Sequence, residues 1–276
     1  MGHLCFVSLF PEYFDAAMRT SIVGRAVCAG RITWDFIQIR DFSTDRHRRV
    51  DDSPYGGGAG LVMKPEPLVA AIEEARRRHP EGRVVLTSPQ GRRFVQDTAR
   101  RLAACGSVTF VCGHYEGVDE RVRGYVDEEL SIGDFVLTGG ELAAAMMADA
   151  VCRLWPGVLG NDESSVDESF SRQGWLEYPQ YTRPVEFRGE RVPEILLSGN
   201  HGAVDAWRRA AAIERTRERR PDLYAALAAT LPPATSGKRK KRSAPPVEES
   251  GQLSSRPESG TAATPTAPEA DGSESS

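Results

Sequence analysis

The chain has 276 residues, of which 40% are hydrophobic and 27% are charged, and its formal net charge is −4. This size and composition are typical of a globular protein with one large domain and one small one, and the core is large enough for an enzyme. The negative charge argues against a protein that holds nucleic acid by its overall charge, but it is compatible with a local basic face.

The five cysteines are scattered and show no C-x-x-C spacing, so neither a zinc site nor a disulfide framework is indicated, and we predict no metal ligands from the sequence. The N-terminus lacks the pattern of a secretory signal. No uninterrupted apolar stretch is long enough to cross a bilayer. We therefore expect a cytoplasmic protein with no membrane partner.

Short apolar runs rich in Val, Ile and Phe alternate with segments of helical periodicity. The apolar runs predict strands at residues 4–10, 32–39, 84–87 and 108–112. Helical periodicity predicts helices at residues 67–78, 94–103, 141–154, 204–219 and 222–230. Strand–helix alternation of this kind predicts an α/β layer built on a largely parallel sheet.

The composition of the chain divides it into four segments. Residues 1–160 contain the α/β pattern, and the polar residues 161–172 are typical of a flexible linker. Residues 173–231 predict a small, mostly helical second domain. Residues 232–276 hold one leucine, one valine and no aromatic residue, so they cannot bury enough apolar area to offset the entropy of ordering, and we predict a disordered tail.

Glycine-containing loops lie where ligands usually bind in such folds, at strand ends and helix starts. They are found at residues 54–60, 88–91, 113–117 and 132–141. None has the G-x-G-x-x-G or G-x-x-x-x-G-K-[ST] pattern, so the usual sequence motifs for binding a nicotinamide cofactor or ATP are missing from these loops. A single loop of this kind has a simple explanation, since glycines make turns.

Taken together and in this order, the loops carry a resemblance to a known family. The chain contains DDSPYGGG at 51–58, SPQG at 88–91, CGHYEGVDER at 112–121, SIGDFVLTGGE at 131–141, PGVLG at 156–160, YTRP at 181–184 and LLSGNH at 196–201. These motifs closely resemble those of the bacterial tRNA (guanine-N1)-methyltransferases. The resemblance runs from about residue 4 to about residue 231 and does not include the tail.

The resemblance implies a trefoil-knotted methyltransferase domain of the SPOUT type in residues 1–160, a tRNA-binding domain in residues 173–231, and a homodimer whose active sites are shared across the interface. It also implies S-adenosylmethionine as methyl donor and tRNA as substrate, with the methyl group placed on the guanine 3′ of the anticodon. Mg²⁺ is expected from the resemblance alone. By position, the cofactor residues are Pro89, Gly113, Tyr115, Glu116, Ile132, Gly133, Asp134, Phe135, Val136, Leu137, Gly139 and Gly140.

Methylation of guanine N1 requires a base for the N1 proton and a cation for the charge that develops on O6. Arg153 matches the family's arginine after the long helix. The family's Asp-Ser-Phe becomes Glu168-Ser169-Phe170 here, with Asp167 just before it. We expect Glu168 to be the base, and Asp167 is the alternative if the alignment shifts by one residue.

Several basic side chains are candidates for contact with RNA phosphates. Arg46, His47 and Arg48 lie beside the first glycine loop in a segment that matches the family, and His201 ends the LLSGNH motif. Arg208 and Arg215 share a helix face with Arg219, which alone is equally typical of a solvated surface. We expect RNA contact for these residues because the family binds tRNA.

Two competing hypotheses stay open. The first keeps the fold and changes the substrate, to ribosomal RNA or a ribose hydroxyl. The second is an RNA-binding module without turnover. The helical second domain with its LLSGNH motif favours tRNA, and the presence of both Arg153 and a linker acid favours an enzyme.

Overall fold

The structure is a computed structural model that describes residues 1–160, 168–170 and 174–228. Its central strands are β1 (Gly2–Ser8), β2 (Ile32–Gln38), β5 (Arg83–Arg93), β6 (Ser107–Cys112) and β7 (Glu128–Ser131). They form one sheet in the order β2-β1-β6-β5-β7, and every neighbouring pair is parallel. Two short antiparallel hairpins pair β3 (Asp51–Asp52) with β4 (Val62–Met63) and β8 (Glu186–Phe187) with β9 (Glu190–Arg191).

Helices cover both faces of the sheet. They are α1 (Glu12–Arg19), α2 (Ser21–Cys28), α3 (Pro65–Arg78), α4 (Gln96–Ala104) and α5 (Glu141–Cys152). Leu4 and Phe6 of β1 pack in one core with α1, α2, α4 and α5, whereas Cys5 and Val7 pack in a second core with α3. This alternation buries both faces of the strand, as a parallel sheet between two helical layers requires.

The predicted α/β class and its parallel sheet are confirmed. The four predicted strands correspond to β1, β2, β6 and the first half of β5, which continues through a change of register between Thr87 and Arg92. The edge strand β7 was missed because Glu128 and Glu129 have low strand propensity. In the fold, Glu128 pairs with Arg101 at 2.6 Å, and Glu129 pairs with Arg123, so the edge strand carries charges that neighbouring arginines neutralise.

Helices α1 and α2 were also missed. Each has only eight residues, and α2 contains Gly24, which lowers helix propensity by about 1 kcal/mol relative to alanine. The fold requires this glycine because a Cβ there would overlap the main-chain carbonyl of Arg19 where the two helices meet. Gly24 therefore lowers the local helix propensity of α2, although the packing of α2 against α1 requires a glycine there.

Two further helices follow, α6 (His201–Arg219) and α7 (Pro221–Ala228), and they match the two predicted near the C-terminus. Helix α6 begins three residues earlier than predicted because the Asn200 side chain caps it, accepting a hydrogen bond from the Ala203 amide at 3.1 Å. The buried Thr216 hydroxyl of α6 accepts a hydrogen bond from the Leu176 amide at 2.9 Å, which holds the chain at 174–178 against the helix.

Part of the predicted organisation lies outside the described residues, namely the tail at 232–276, most of the linker at 161–172, and Asp167. The division into domains at 1–160 and 173–231 stays a prediction. Within the described part of the chain, every helix is too short or too polar to span a membrane.

Candidate active site

The bend of β5 at residues 88–91 and the loops that follow β6 and β7 meet at one edge of the sheet. They enclose a cavity of about 360 Å³. Ligands of open parallel sheets usually bind at this carboxyl edge of the strands. The volume falls in the range of small-molecule sites, roughly 300–1,000 Å³. The cavity is therefore the candidate active site.

The structure brings the predicted cofactor residues together although three separate stretches of chain supply them. The predicted residues that line the cavity are Pro89, Gly113, Tyr115, Glu116, Ile132, Gly133, Phe135, Val136, Leu137, Gly139 and Gly140. Asp134 is the exception among these described residues. Its exposed carboxylate accepts a hydrogen bond from Arg93 at 2.7 Å.

Close contact between two main-chain segments forms the inner wall of the cavity. The Gly140 amide donates a hydrogen bond to the Gly113 carbonyl at 2.8 Å, and the Thr87 hydroxyl lies 3.3 Å from the Gly140 carbonyl. A Cβ on Gly140 would overlap the Thr87 hydroxyl and come within 3.0 Å of the Gly113 nitrogen. Only glycine fits at position 140, and the absence of a side chain exposes backbone groups to a ligand.

The rim of the cavity is formed by the turn at residues 113–117. Tyr115 has a φ of 59°, which is the left-handed conformation that a side chain usually disfavours. The Glu116 amide donates to the Leu61 carbonyl at 3.0 Å, and a Cβ on Gly60 would overlap the Glu116 side chain. The glycine loop at 54–60 therefore packs against the rim, although it supplies no residue to the lining that the structure describes.

A buried carboxylate supports the wall from behind. Glu141, which is 2% exposed, lies in the first turn of α5, where the helix dipole favours its negative charge. Its Oε1 accepts a hydrogen bond from Ser8 Oγ at 2.9 Å, and its Oε2 lies 3.8 Å from Nδ1 of His114. The sequence predicts a helix that begins at Glu141, but it contains no local pattern that relates this residue to Ser8, 133 positions away.

The predicted catalytic pair meets at the other end of α5. Arg153, the residue at the C-terminal cap, donates two hydrogen bonds to Glu168, from Nη1 to Oε1 at 2.5 Å and from Nη2 to Oε2 at 2.7 Å. The two side chains are 28% and 24% exposed, so the pair is partly shielded from water. The hydrogen bond to Glu168 raises the pKa of Arg153, which keeps the guanidinium charged.

Hydrogen bonds of the two residues that follow Glu168 fix its short segment. The Phe170 amide donates to the Trp175 carbonyl at 3.0 Å, and Arg100 of α4 donates to the Phe170 carbonyl at 2.7 Å. The Ser169 hydroxyl accepts from the Glu177 amide at 3.0 Å. The position of Glu168 therefore depends on α4 and on the start of the C-terminal segment.

Comparison with known proteins now identifies the family. A family model for tRNA (guanine-1)-methyltransferase TrmD matches residues 3–226. The chain belongs to this family.

Three relatives are more than half identical to the chain over the aligned residues. A tRNA (guanine-N(1)-)-methyltransferase of Geobacter sulfurreducens is 58% identical over 218 residues, which cover 79% of this chain and 89% of that relative. The enzyme of the same name from Anaeromyxobacter sp. (strain K) is 58% identical over 222 residues, covering 80% and 90%. That from Lactiplantibacillus plantarum is 53% identical over 222 residues, with the same two coverages. The resemblance of the sequence to this family is confirmed.

In this TrmD-family chain, the first group of predicted RNA contacts lies on an exposed turn. Arg46, His47 and Arg48 are all exposed. The Asp45 carboxylate accepts from the His47 amide at 2.7 Å and from the Arg49 amide at 3.3 Å, and these hydrogen bonds lower the pKa of Asp45. The turn thus holds the three basic side chains on the surface.

The second group lies on α6. His201 is exposed at the start of the helix. The Arg208 guanidinium lies over the Tyr178 ring, 4.9 Å from its centroid, and Arg215 donates to the Glu177 carbonyl at 3.4 Å. These two arginines therefore contact residues 177–178 and do not stand free on an outer face. In the described part of the chain, neither the turn at 46–48 nor this group on α6 contributes to the lining of the cavity.

The close contact at Gly140 gives a direct test of the cavity. The TrmD family uses S-adenosylmethionine, and we expect Gly140→Ala to weaken its binding by roughly 10- to 100-fold, since forcing a methyl group into a packed site costs about 1–3 kcal/mol. Isothermal titration calorimetry measures the effect. Gly124→Ala is the matched control because a Cβ there meets nothing within 4 Å. Equal affinity of the two variants would show that the cavity does not bind the donor.

Proposed function

We propose that this chain transfers the methyl group of S-adenosylmethionine to N1 of the guanosine that lies 3′ of the anticodon in tRNA. Membership of the TrmD family makes the chain a tRNA (guanine-N1)-methyltransferase and implies the methyl donor. The observation that carries the proposal within the molecule is the cavity whose wall is the main chain of Gly113 and Gly140.

The cavity suits the donor in shape and in chemistry. A nucleoside with an amino-acid tail needs backbone donors and acceptors for its adenine, and it needs glycines so that the backbone can come close. Gly113, Gly139 and Gly140 provide such a surface, and Ile132 and Leu137 add apolar contacts. When bound, S-adenosylmethionine supplies an electrophilic methyl group on a positively charged sulfur.

The protein then has two tasks, alignment and proton removal. As N1 attacks the methyl carbon, the bond from carbon to sulfur breaks and N1 must lose its proton. We assign acceptance of this proton to the Glu168 carboxylate. Arg153 donates two of its five N–H groups to Glu168. Its other three N–H groups can stabilise the negative charge that develops on O6. Asp167 is the alternative base and lies outside the described residues.

The length of α5 supports a shared active site. The helix extends from the cavity wall at Gly140 to Arg153, which at 1.5 Å per residue is about 20 Å. One chain therefore holds its donor cavity and its candidate base at opposite ends of a helix. A homodimer resolves this separation if the Arg153–Glu168 pair of one subunit faces the cavity of the other.

The exposed apolar residues beside the cavity also support a dimer. Leu142 and Met146 lie one turn apart on the outer side of α5 and are 49% and 60% exposed. Phe135 and Val136, in the loop before α5, are 53% and 82% exposed. Exposed apolar side chains are typical of a protein–protein interface when they form one patch.

We propose the trefoil knot of the SPOUT type for residues 1–160. Its support is the family assignment together with the contacts among the segments at 86–90, 113–118 and 129–140, which line one cavity.

We also propose that residues 173–231 form the tRNA-binding domain, with Arg46, His47, Arg48, His201, Arg208 and Arg215 on the substrate side. The substrate implies that the enzyme works in the cytoplasm.

Mg²⁺ receives no role in the proposed reaction. Within residues 1–160, 168–170 and 174–228, no three carboxylates lie close enough together to share one cation.

Nucleoside analysis of methylated tRNA tests the proposed function. After incubation of the protein with S-adenosylmethionine and a tRNA transcript that carries guanosine 3′ of the anticodon, we expect 1-methylguanosine. A transcript with adenosine at that position is the control and should stay unmethylated. Methylation of the control, of a ribose hydroxyl or of ribosomal RNA instead would overturn the assignment of the substrate. Donor binding without turnover would indicate an RNA-binding module.

Amide variants of the two acids test the base. We expect Glu168→Gln to lower the single-turnover rate by about 10²- to 10⁴-fold, the usual contribution of general base catalysis, without weakening binding of the donor. Asp167→Asn is the matched control and should retain most of the rate. The reverse result would transfer the role to Asp167, and an undiminished Glu168→Gln enzyme would end its assignment.

A mixture of two subunits that carry different defects tests the shared site. Co-expression of Gly140→Ala with Glu168→Gln yields mixed dimers in which one site carries both defects and the other carries neither. Up to half the sites of each mixed dimer should therefore be active. If each subunit used its own cavity with its own base, every site would carry one defect and the activity would not exceed that of the separate variants.

A further inference from the structure

A second cluster of polar side chains lies on the sheet face that α3 covers. In the parallel register of β1 with β2, His3 is opposite Thr33 and Cys5 is opposite Asp35, so these four side chains point to one face. His79, which follows α3 directly, completes the cluster from above. Ligand atoms of His3, Asp35 and His79 all lie within 4.8 Å of one another.

The measured separations suit a tetrahedral metal ion. Both imidazoles approach the same carboxylate oxygen, with Asp35 Oδ1 at 3.1 Å from Nε2 of His3 and at 3.3 Å from Nε2 of His79. A tetrahedral zinc ion with bonds of about 2.0–2.1 Å places neighbouring ligand atoms about 3.4 Å apart. Two histidines and a carboxylate form the ligand set of many zinc sites that leave one position for water.

The hydrogen bonds of His3 direct a free lone pair into the cluster. The Thr33 hydroxyl donates to the Gly2 carbonyl at 3.4 Å, so its oxygen accepts from Nδ1–H of His3 at 2.8 Å. In the neutral imidazole, Nε2 then carries a lone pair that faces Asp35 Oδ1. Two such lone pairs at 3.1 Å repel each other unless a proton or a metal cation lies between them. The second ring nitrogen of a metal-binding histidine is usually held in this manner.

The remaining side chains of the cluster hold the carboxylate in place. Arg78 donates to Asp35 Oδ2 at 3.2 Å, which leaves Oδ1 for the two imidazoles. A guanidinium at this distance favours the charged carboxylate, which is the form that binds metal ions.

His79 adds an independent observation. Its Nε2 atom is buried and, within the described part of the chain, has no hydrogen-bond partner of acceptable geometry. A buried ring nitrogen without a hydrogen bond costs free energy that coordination would recover.

We propose that His3, Asp35 and His79 form a binding site for one Zn²⁺-type transition-metal ion, separate from the active site. His3 lies near the start of β1, and Ser8, which contacts Glu141 behind the cavity, lies five residues later, about 16 Å along the strand. The ion would join β1, β2 and the end of α3 and would bind without taking part in methyl transfer. The two rings are inclined at 31° with centroids 3.8 Å apart, so coordination of one ion requires them to move apart.

Metal binding to the untagged full-length protein tests the proposal. Competition with a chromophoric chelator, in the presence of a reductant, should show one equivalent of tightly bound Zn²⁺ per chain. Asp35→Asn and His79→Gln should each lower this affinity by more than about 100-fold, since loss of an outer-shell partner alone already costs about 10- to 100-fold. Co²⁺ should give the intense visible absorption of a tetrahedral complex in the native protein and in neither variant.

Two controls make the outcomes decisive. Asp41→Asn makes the same change at an exposed carboxylate outside the cluster and should leave both metal readouts unchanged. Circular dichroism shows whether each variant folds. Because His79 lies beyond the end of α3, His79→Gln alone tests the proposal if Asp35→Asn does not fold. Absence of tight binding by the native protein, or binding that both folded cluster variants retain, would overturn the proposal and leave a proton as the bridge between His3 and Asp35.

Discussion

The candidate active site depends on the close contact of main-chain segments at Thr87, Gly113 and Gly140. This contact does two things at once. It makes a wall of backbone groups where a nucleoside can bind, and it fixes the first turn of α5. Because α5 is a rigid helix, the same contact sets the position of Arg153 at its far end. A change of one methyl group at Gly140 would thus act directly on the wall of the cavity.

The C-terminal end of α5 connects the candidate base, Glu168, to the C-terminal segment of the chain. Glu168 is held by Arg153, and the residues beside it are held by Arg100 from α4 and by Trp175 and Glu177 from the start of the C-terminal segment. Residues 174–178 in turn pack on α6 through Thr216. The candidate base is therefore anchored by the segment that we propose to bind tRNA. Movement of that segment when RNA binds would be transmitted to Glu168 through these hydrogen bonds.

Much of this arrangement could be predicted from the sequence, and the exceptions have physical causes. The parallel sheet follows from apolar runs that alternate with helical periods, whereas the cavity residues were assigned by the resemblance of the glycine-containing motifs to a known family. The strand β7 could not be predicted because its stability comes from arginines on β5 and α4, which neutralise Glu128 and are distant in sequence. The support of Glu141 by Ser8 is equally non-local. Gly24 shows the opposite case, in which a residue unfavourable for a helix is required by the neighbouring helix.

A crystal structure of the protein with S-adenosylmethionine tests the central claim most directly. The account predicts that the donor lies in the cavity, with main-chain atoms of residues 132–140 and of Gly113 in contact with it, and with its methyl group directed toward an Arg153–Glu168 pair. A donor bound at another place, or bound without contact to Gly113 and Gly140, would contradict the account.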